Sequence, residues 1–137
     1  MAEPARPSHG LMDTSVVIDL DQIDADQLPN ELAISALTMA ELAAGPHATG
    51  DSGERARRQD RLQRAEAVFD PLPFDGDCGR AYGRIYAAVV ATGRKARGPR
   101  AIDLLIAATA VAANLALYTR NVDDFRGIEH LVTIVGV

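Results

Sequence analysis

The sequence predicts an α/β domain, a three-layer sandwich whose central, mostly parallel sheet of four to five strands is flanked by helices. Three observations carry that reading. Short apolar runs alternate with segments of helical character, the pattern of parallel strands joined by crossover helices. The runs Glu31–Leu37 and Leu131–Val135 are apolar nearly throughout, as strands covered on both faces are. Acidic residues stand just past several runs, where an open parallel sheet places its ligand crevice.

The first strand carries the chain through Gly10-Leu11-Met12 into Asp13, and Thr14 or Ser15 is available to cap the helix that follows. Asp19, Asp21, Asp24 and Asp26 thin out the apolar pattern, so this helix is short and gives way to an acidic loop near Pro29. Glu31–Leu37 is the second strand, and Thr38-Met39-Ala40-Glu41 opens a helix that Gly45-Pro46 stops. After a small, polar loop, Glu54–Phe69 is helical by composition. Ala56, Leu62, Ala65 and Phe69 form its core stripe, and Arg55, Arg57, Arg58, Arg61 and Arg64 lie on a solvated face.

Pro71–Phe74 supports only a short edge strand, because proline cannot donate to the ladder. Asp75 or Asp77 caps a helix patterned on Ala81, Ile85, Ala88 and Val89 and ended by Gly93. A basic loop, Arg94–Arg100, leads into Ile102–Ala113, which is apolar on nearly all sides and therefore a buried helix. Leu115–Thr119 is a further strand, Arg120–Phe125 an acid-rich turn, and Leu131–Val135 the last strand.

With 137 residues, 47% of them hydrophobic, the chain suits one domain with a genuine core, expected over residues 10–137. Met1–His9, with two prolines and no apolar segment of signal-peptide type, reads as a loose tail, so a cytoplasmic location is expected. No apolar run approaches the roughly 20 residues that cross a bilayer. Cys78 is the only cysteine, which excludes an internal disulfide. The net charge of −5 excludes nucleic-acid binding through overall positive charge, though a local basic rim can still serve.

Asp13, Glu41, Asp103 and Asp124 each sit at a strand end or in the first turn of a helix. On a parallel sheet such positions converge on one edge. Two unit charges about 4 Å apart repel by ~4 kcal/mol at an effective dielectric near 20, so such a cluster must bind protons or cations. Hard divalent ions with oxygen ligands, Mg²⁺ or Mn²⁺, are the natural occupants. Each acid also has a purely structural explanation. Glu41 completes a capping-box pattern with Thr38, Asp103 favours a helix macrodipole, and Asp13 and Asp124 suit turns.

Lys95 is the sole lysine and is badly placed for a haloacid-dehalogenase phosphatase or a phosphoacceptor receiver domain, both of which use a lysine in the site. Residues 19–30 fail as an EF-hand loop, with Asp24 in place of its glycine. His9, His47 and His130 are too scattered for a zinc site.

Four blocks together resemble a family: Leu11-Met12-Asp13-Thr14-Ser15, Leu37-Thr38-Met39-Ala40-Glu41-Leu42, Ile102-Asp103-Leu104-Leu105-Ile106-Ala107-Ala108 and Thr119-Arg120-Asn121-Val122-Asp123-Asp124-Phe125. In order and character they look like PIN-domain ribonucleases, and within these like VapC-type toxins of bacterial toxin-antitoxin pairs. The resemblance implies a Mg²⁺- or Mn²⁺-dependent endoribonuclease, homodimeric, cleaving cellular RNA and neutralised by a VapB-type antitoxin. It makes Asp13, Glu41 and Asp103 metal-binding carboxylates and draws the fourth from the last block, where Asp124 fits best beside Asn121 and Asp123. Thr14 or Ser15 would hold a water on the ion. For RNA, Arg94, Lys95, Arg97 and Arg100 in the basic loop and Arg120 beside the fourth acid are the candidate phosphate contacts. A PIN-like fold used only to bind protein is the alternative.

Overall fold

The computed structural model describes residues 8–137 of the chain; of the tail expected over residues 1–9, residues 1–7 lie outside the described part. His9 already belongs to the first strand, β1 (His9–Met12). The remaining elements are α1 (Thr14–Ile18), β2 (Glu31–Ala33), α2 (Ala36–Ala44), α3 (Ser52–Val68), α4 (Gly76–Ala91), α5 (Arg100–Ala113), β3 (Ala116–Thr119) and β4 (Ile134–Gly136). Short 3-10 turns join them, including Val122–Phe125 after β3.

All strand pairings are parallel, in the order β2-β1-β3-β4. From β1 the chain first adds β2 on one side and then crosses to add β3 on the other. The reversal makes the carboxyl ends of β1 and β3 the switch point of the sheet, where doubly wound folds open their ligand crevice. Gly10 sits where β1 meets its neighbours. A Cβ there would lie 2.5 Å from the Tyr118 ring and 2.9 Å from Pro29, so only glycine leaves room for both.

Alternation along the strands sends side chains to two cores. Leu11 and Leu117 face Ile85 and Val89 of α4 and Leu104 and Ile106 of α5. Met12 and Tyr118 face Val16 and Val17 of α1, Leu42 of α2 and Ala65 of α3. The sheet is therefore the middle layer of three.

Several boundaries differ from the sequence reading. The strand expected over Glu31–Leu37 ends at Ala33, because Ser35 caps α2 by accepting from the Thr38 amide at 3.1 Å. The segment Pro71–Phe74 contributes one isolated parallel bridge, Ser35 to Leu72, and among the described residues the sheet has four strands. The last strand starts three residues later than its apolar run suggests and ends one later, with Val132 buried from the turn before it. In α3, Ala56 is exposed, and the buried contact comes from Ala65.

Candidate active site

Asp13 directly follows β1, and its amide donates to the Tyr118 carbonyl at 2.9 Å. The side chain is 4% exposed and bent back over the start of α1. Oδ1 accepts from the Thr14 amide at 2.9 Å, while Oδ2 accepts from the Ser15 hydroxyl at 2.8 Å and the Thr119 hydroxyl at 2.9 Å. Three donors offset the cost of burying this carboxylate. The capping role expected of Thr14 or Ser15 thus falls to Asp13, which precedes them both. That releases their hydroxyls for the site.

Glu41 projects from the second turn of α2, and its Oε1 accepts from the Thr14 hydroxyl at 2.6 Å. The capping-box explanation of Glu41 fails here. Ser35 already occupies the Thr38 amide that Glu41 would have had to satisfy.

Asp103 lies in the first turn of α5 and is half-buried. Burial, with the negative fields of Asp13, Asp124 and Glu41 in that order, pushes its carboxyl up to about 7; Arg100 pulls it the other way. Four acids from four separate segments therefore share one field. Among the described residues, no three His, Cys, Asp or Glu side chains are drawn in to ion-binding spacing. Mutual repulsion opposes closer approach without a counter-charge.

The last block separates its three candidates. Asp124 is half-buried and acts on Asp103. Asp123 is exposed and pairs with Arg126 and, at 3.9 Å, with Arg94. Asn121 is exposed, and its backbone amide donates to the Thr119 hydroxyl at 3.0 Å.

The family model for the PIN domain matches residues 11–131, a span that takes in all four acids. The chain belongs to the PIN domain family. Ribonuclease VapC5 of Mycobacterium tuberculosis (strain ATCC 25618 / H37Rv) is 32% identical to it over 131 residues, covering 93% of each chain. Ribonuclease VapC8 of the same species (strain CDC 1551 / Oshkosh) is 38% identical over 102 residues, 74% of this chain and 89% of that one. Among solved structures, a member of the VapBC family of toxin-antitoxin systems, VapBC-5 from Mycobacterium tuberculosis, superposes with a TM-score of 0.84. It is 34% identical, with 96% of this chain and 100% of that one covered. VapBC2 from Rickettsia felis, at 22% identity and a TM-score of 0.74, shares the fold.

In this PIN domain the basic residues divide by what they touch. Arg100 opens α5 beside the acids, and its Nη1 donates to the Asp124 carbonyl at 3.3 Å. Arg94 donates to the carbonyls of Asp123 and Arg126 at 3.0 and 3.3 Å, which ties the basic loop to the turn after β3. Lys95 and Arg97 are exposed. Arg120 pairs with Asp19 at 3.3 Å, at the end of α1. Two further site residues, Thr38 and Thr119, are fully buried hydroxyls; the sequence reading gave Thr38 only a capping role and Thr119 none. Thr119 is placed by register: with Met12 opposite Tyr118, the next residues, Asp13 and Thr119, fall side by side.

No helix among the described residues is long and apolar enough to cross a membrane.

Proposed function

We propose that this PIN domain is a Mg²⁺- or Mn²⁺-dependent endoribonuclease toxin that acts on cellular RNA in the cytoplasm and is held in check by a VapB-type antitoxin. The observation that carries the reading is the meeting of Asp13, Asp124, Glu41 and Asp103 at the switch point of the sheet, where burial first and the field of the other three acids second lift the Asp103 carboxyl to about 7. The donor set fits such an ion: hard carboxylate oxygens, with no thiolate or imidazole among them. Relatives named ribonucleases, similar over nearly the whole chain, support the same activity.

Asp13, Glu41, Asp103 and Asp124 are the residues that would hold the ion. When bound, Mg²⁺ or Mn²⁺ supplies activation of water and neutralisation of the phosphodiester. Asp13 is held in one orientation by Ser15, Thr119 and the Thr14 amide, so a principal acid is preset before RNA arrives. Arg100 lies where a phosphate entering beside Asp103 and Asp124 meets a positive charge, and the exposed Lys95 and Arg97 extend that rim. Water attack at phosphorus breaks one phosphorus–oxygen bond, leaving one product ending in phosphate and the other in a hydroxyl.

The antitoxin reading follows from the same excess of negative charge: a partner segment that delivers a basic side chain among the carboxylates would displace the ion and block RNA. The solved VapBC-5 neighbour, a toxin-antitoxin system, supports a partner of that class. A homodimer is the expected assembly. The test is cleavage of RNA by the purified protein with and without Mn²⁺, against Asp13→Asn and Asp103→Asn. Both variants should stay folded and lose the Mn²⁺-dependent cleavage; undiminished cleavage by both overturns the assignment.

A further inference from the structure

Beneath Glu41 lies a chain of hydroxyls whose proton directions can be worked out by counting donors. A threonine or serine hydroxyl has one proton to give and two lone pairs to accept with. Thr14 gives its proton to Glu41 Oε1 at 2.6 Å. The contact between Thr14 Oγ1 and Thr38 Oγ1, at 3.0 Å, must then run the other way, with Thr38 donating. Thr38 Oγ1 in turn accepts from the Ser35 hydroxyl at 3.5 Å, and Ser35 Oγ accepts from the Thr38 amide at 3.1 Å. Each hydroxyl donor points towards the carboxylate. Among the described residues, no buried side-chain nitrogen or oxygen lacks a partner, so the relay has no loose end.

We infer that Thr38 is a positioning residue for metal binding: through Thr14 it fixes the Glu41 carboxylate in the orientation that receives the ion, while its own hydroxyl bonds to Thr14 and Ser35. The inference rests on the reading of Glu41 as a metal-binding carboxylate. Thr38 is 0% exposed, so its hydroxyl serves no solvent or substrate. Valine matches threonine closely in shape but lacks the hydroxyl, so Thr38→Val removes the hydrogen bonds and little else. That hydroxyl serves Thr14 as donor and Ser35 as acceptor. Without that donor the Thr14 side chain is free to turn to another rotamer, which takes its proton away from Glu41 Oε1 and removes this hydrogen bond to α1. Outer-shell groups of this kind orient metal-binding carboxylates and tune their affinity.

The experiment is Mn²⁺ titration of the purified full chain by electron paramagnetic resonance, with no RNA present. Thr38→Val, Thr38→Ser and Glu41→Gln are compared with the natural sequence, and thermal unfolding of each is recorded. Thr38→Val should weaken Mn²⁺ binding roughly tenfold, Thr38→Ser should restore it, and RNA cleavage by Thr38→Val should recover at saturating Mn²⁺. A packing role alone would lower the unfolding temperature without shifting the Mn²⁺ midpoint. If Glu41→Gln weakens Mn²⁺ binding while Thr38→Val leaves it unchanged, the relay is refuted and the metal site stands. If Glu41→Gln changes nothing either, the metal reading of Glu41 fails and the inference fails with it.

Discussion

The Thr119 hydroxyl, at the carboxyl end of β3, donates to Oδ2 of Asp13 at 2.9 Å, although 106 residues separate the two in the chain. This bond spans the switch point of the sheet and joins the strands on either side of the crevice. Both groups are buried, so deleting the donor leaves a buried charge short of a partner. Thr119→Val should therefore cost about 1.5–3 kcal/mol of stability, the range for a lost bond to a charged group. Urea denaturation measures that loss, and Thr119→Ser should recover most of it. Val and Ser behaving alike would mean that the methyl group, not the hydroxyl, is what the fold uses.

Asp123 and Asp124 are adjacent yet point to different tasks. The first pairs outward with Arg126 and Arg94, and the second acts on Asp103. Asp124→Asn should lower Mn²⁺-dependent cleavage at least tenfold, as expected for a group that holds the ion or its ligands. Asp123→Asn should leave cleavage within about twofold, since exposed ion pairs contribute little. Single-turnover cleavage of one RNA by the two variants decides between them, and equal losses would contradict the division drawn from the geometry.

How far the site can be read from the chain depends on whether each contact is local. Asp13 and Asp103 are legible because a strand end followed by an acid, or an acid opening an apolar helix, is a pattern of a few residues. The start of α2 is not, since Ser35 and Thr38 are both good caps three residues apart. Ser35 takes the role where the chain at 34–36 is anchored by its bridge to Leu72. Thr119 is invisible because its partner is fixed only by the β1–β3 register. The run Leu131–Val135 misleads by a simpler route: apolar residues packed from a buried turn look like a strand.

Within the basic loop, anchoring and solvent exposure fall to different residues. Arg94 is mostly buried and spends its donors on two carbonyls of the turn after β3, whereas Lys95 and Arg97 reach solvent. In an Asp13→Asn background, where RNA is bound without being cut, Lys95→Ala with Arg97→Ala should weaken RNA binding. The same pair should flatten the plot of log Kd against log salt by roughly 1.4, about 0.7 for each phosphate contact on a single strand. Arg94→Ala should leave that slope unchanged and instead lower stability by about 1 kcal/mol. A slope unaltered in the double variant would remove Lys95 and Arg97 from the RNA surface.

The raised carboxyl of Asp103 makes the stability of the ion-free protein depend on pH in a definite direction. Its ordinary value is 3.8 and its folded value about 7, so between these the folded chain binds a proton that the unfolded chain has released. Stability from this group is complete below pH 3.8 and is lost as pH rises through about 7, the reverse of a salt-bridged aspartate. Other acids add their own slopes, and comparison with Asp103→Asn isolates this one. In chelator, the unfolding temperature of the natural sequence should fall relative to Asp103→Asn as pH rises from 4 to 8. Above pH 7 the asparagine variant should be the more stable of the two. Adding Mn²⁺ at pH 8 should stabilise the natural sequence far more than the variant, because a cation answers the same repulsion that the proton relieves at lower pH. Parallel curves for the two proteins would mean that neither burial nor the other three carboxylates raise Asp103, and the shared field on which the site is built would not exist.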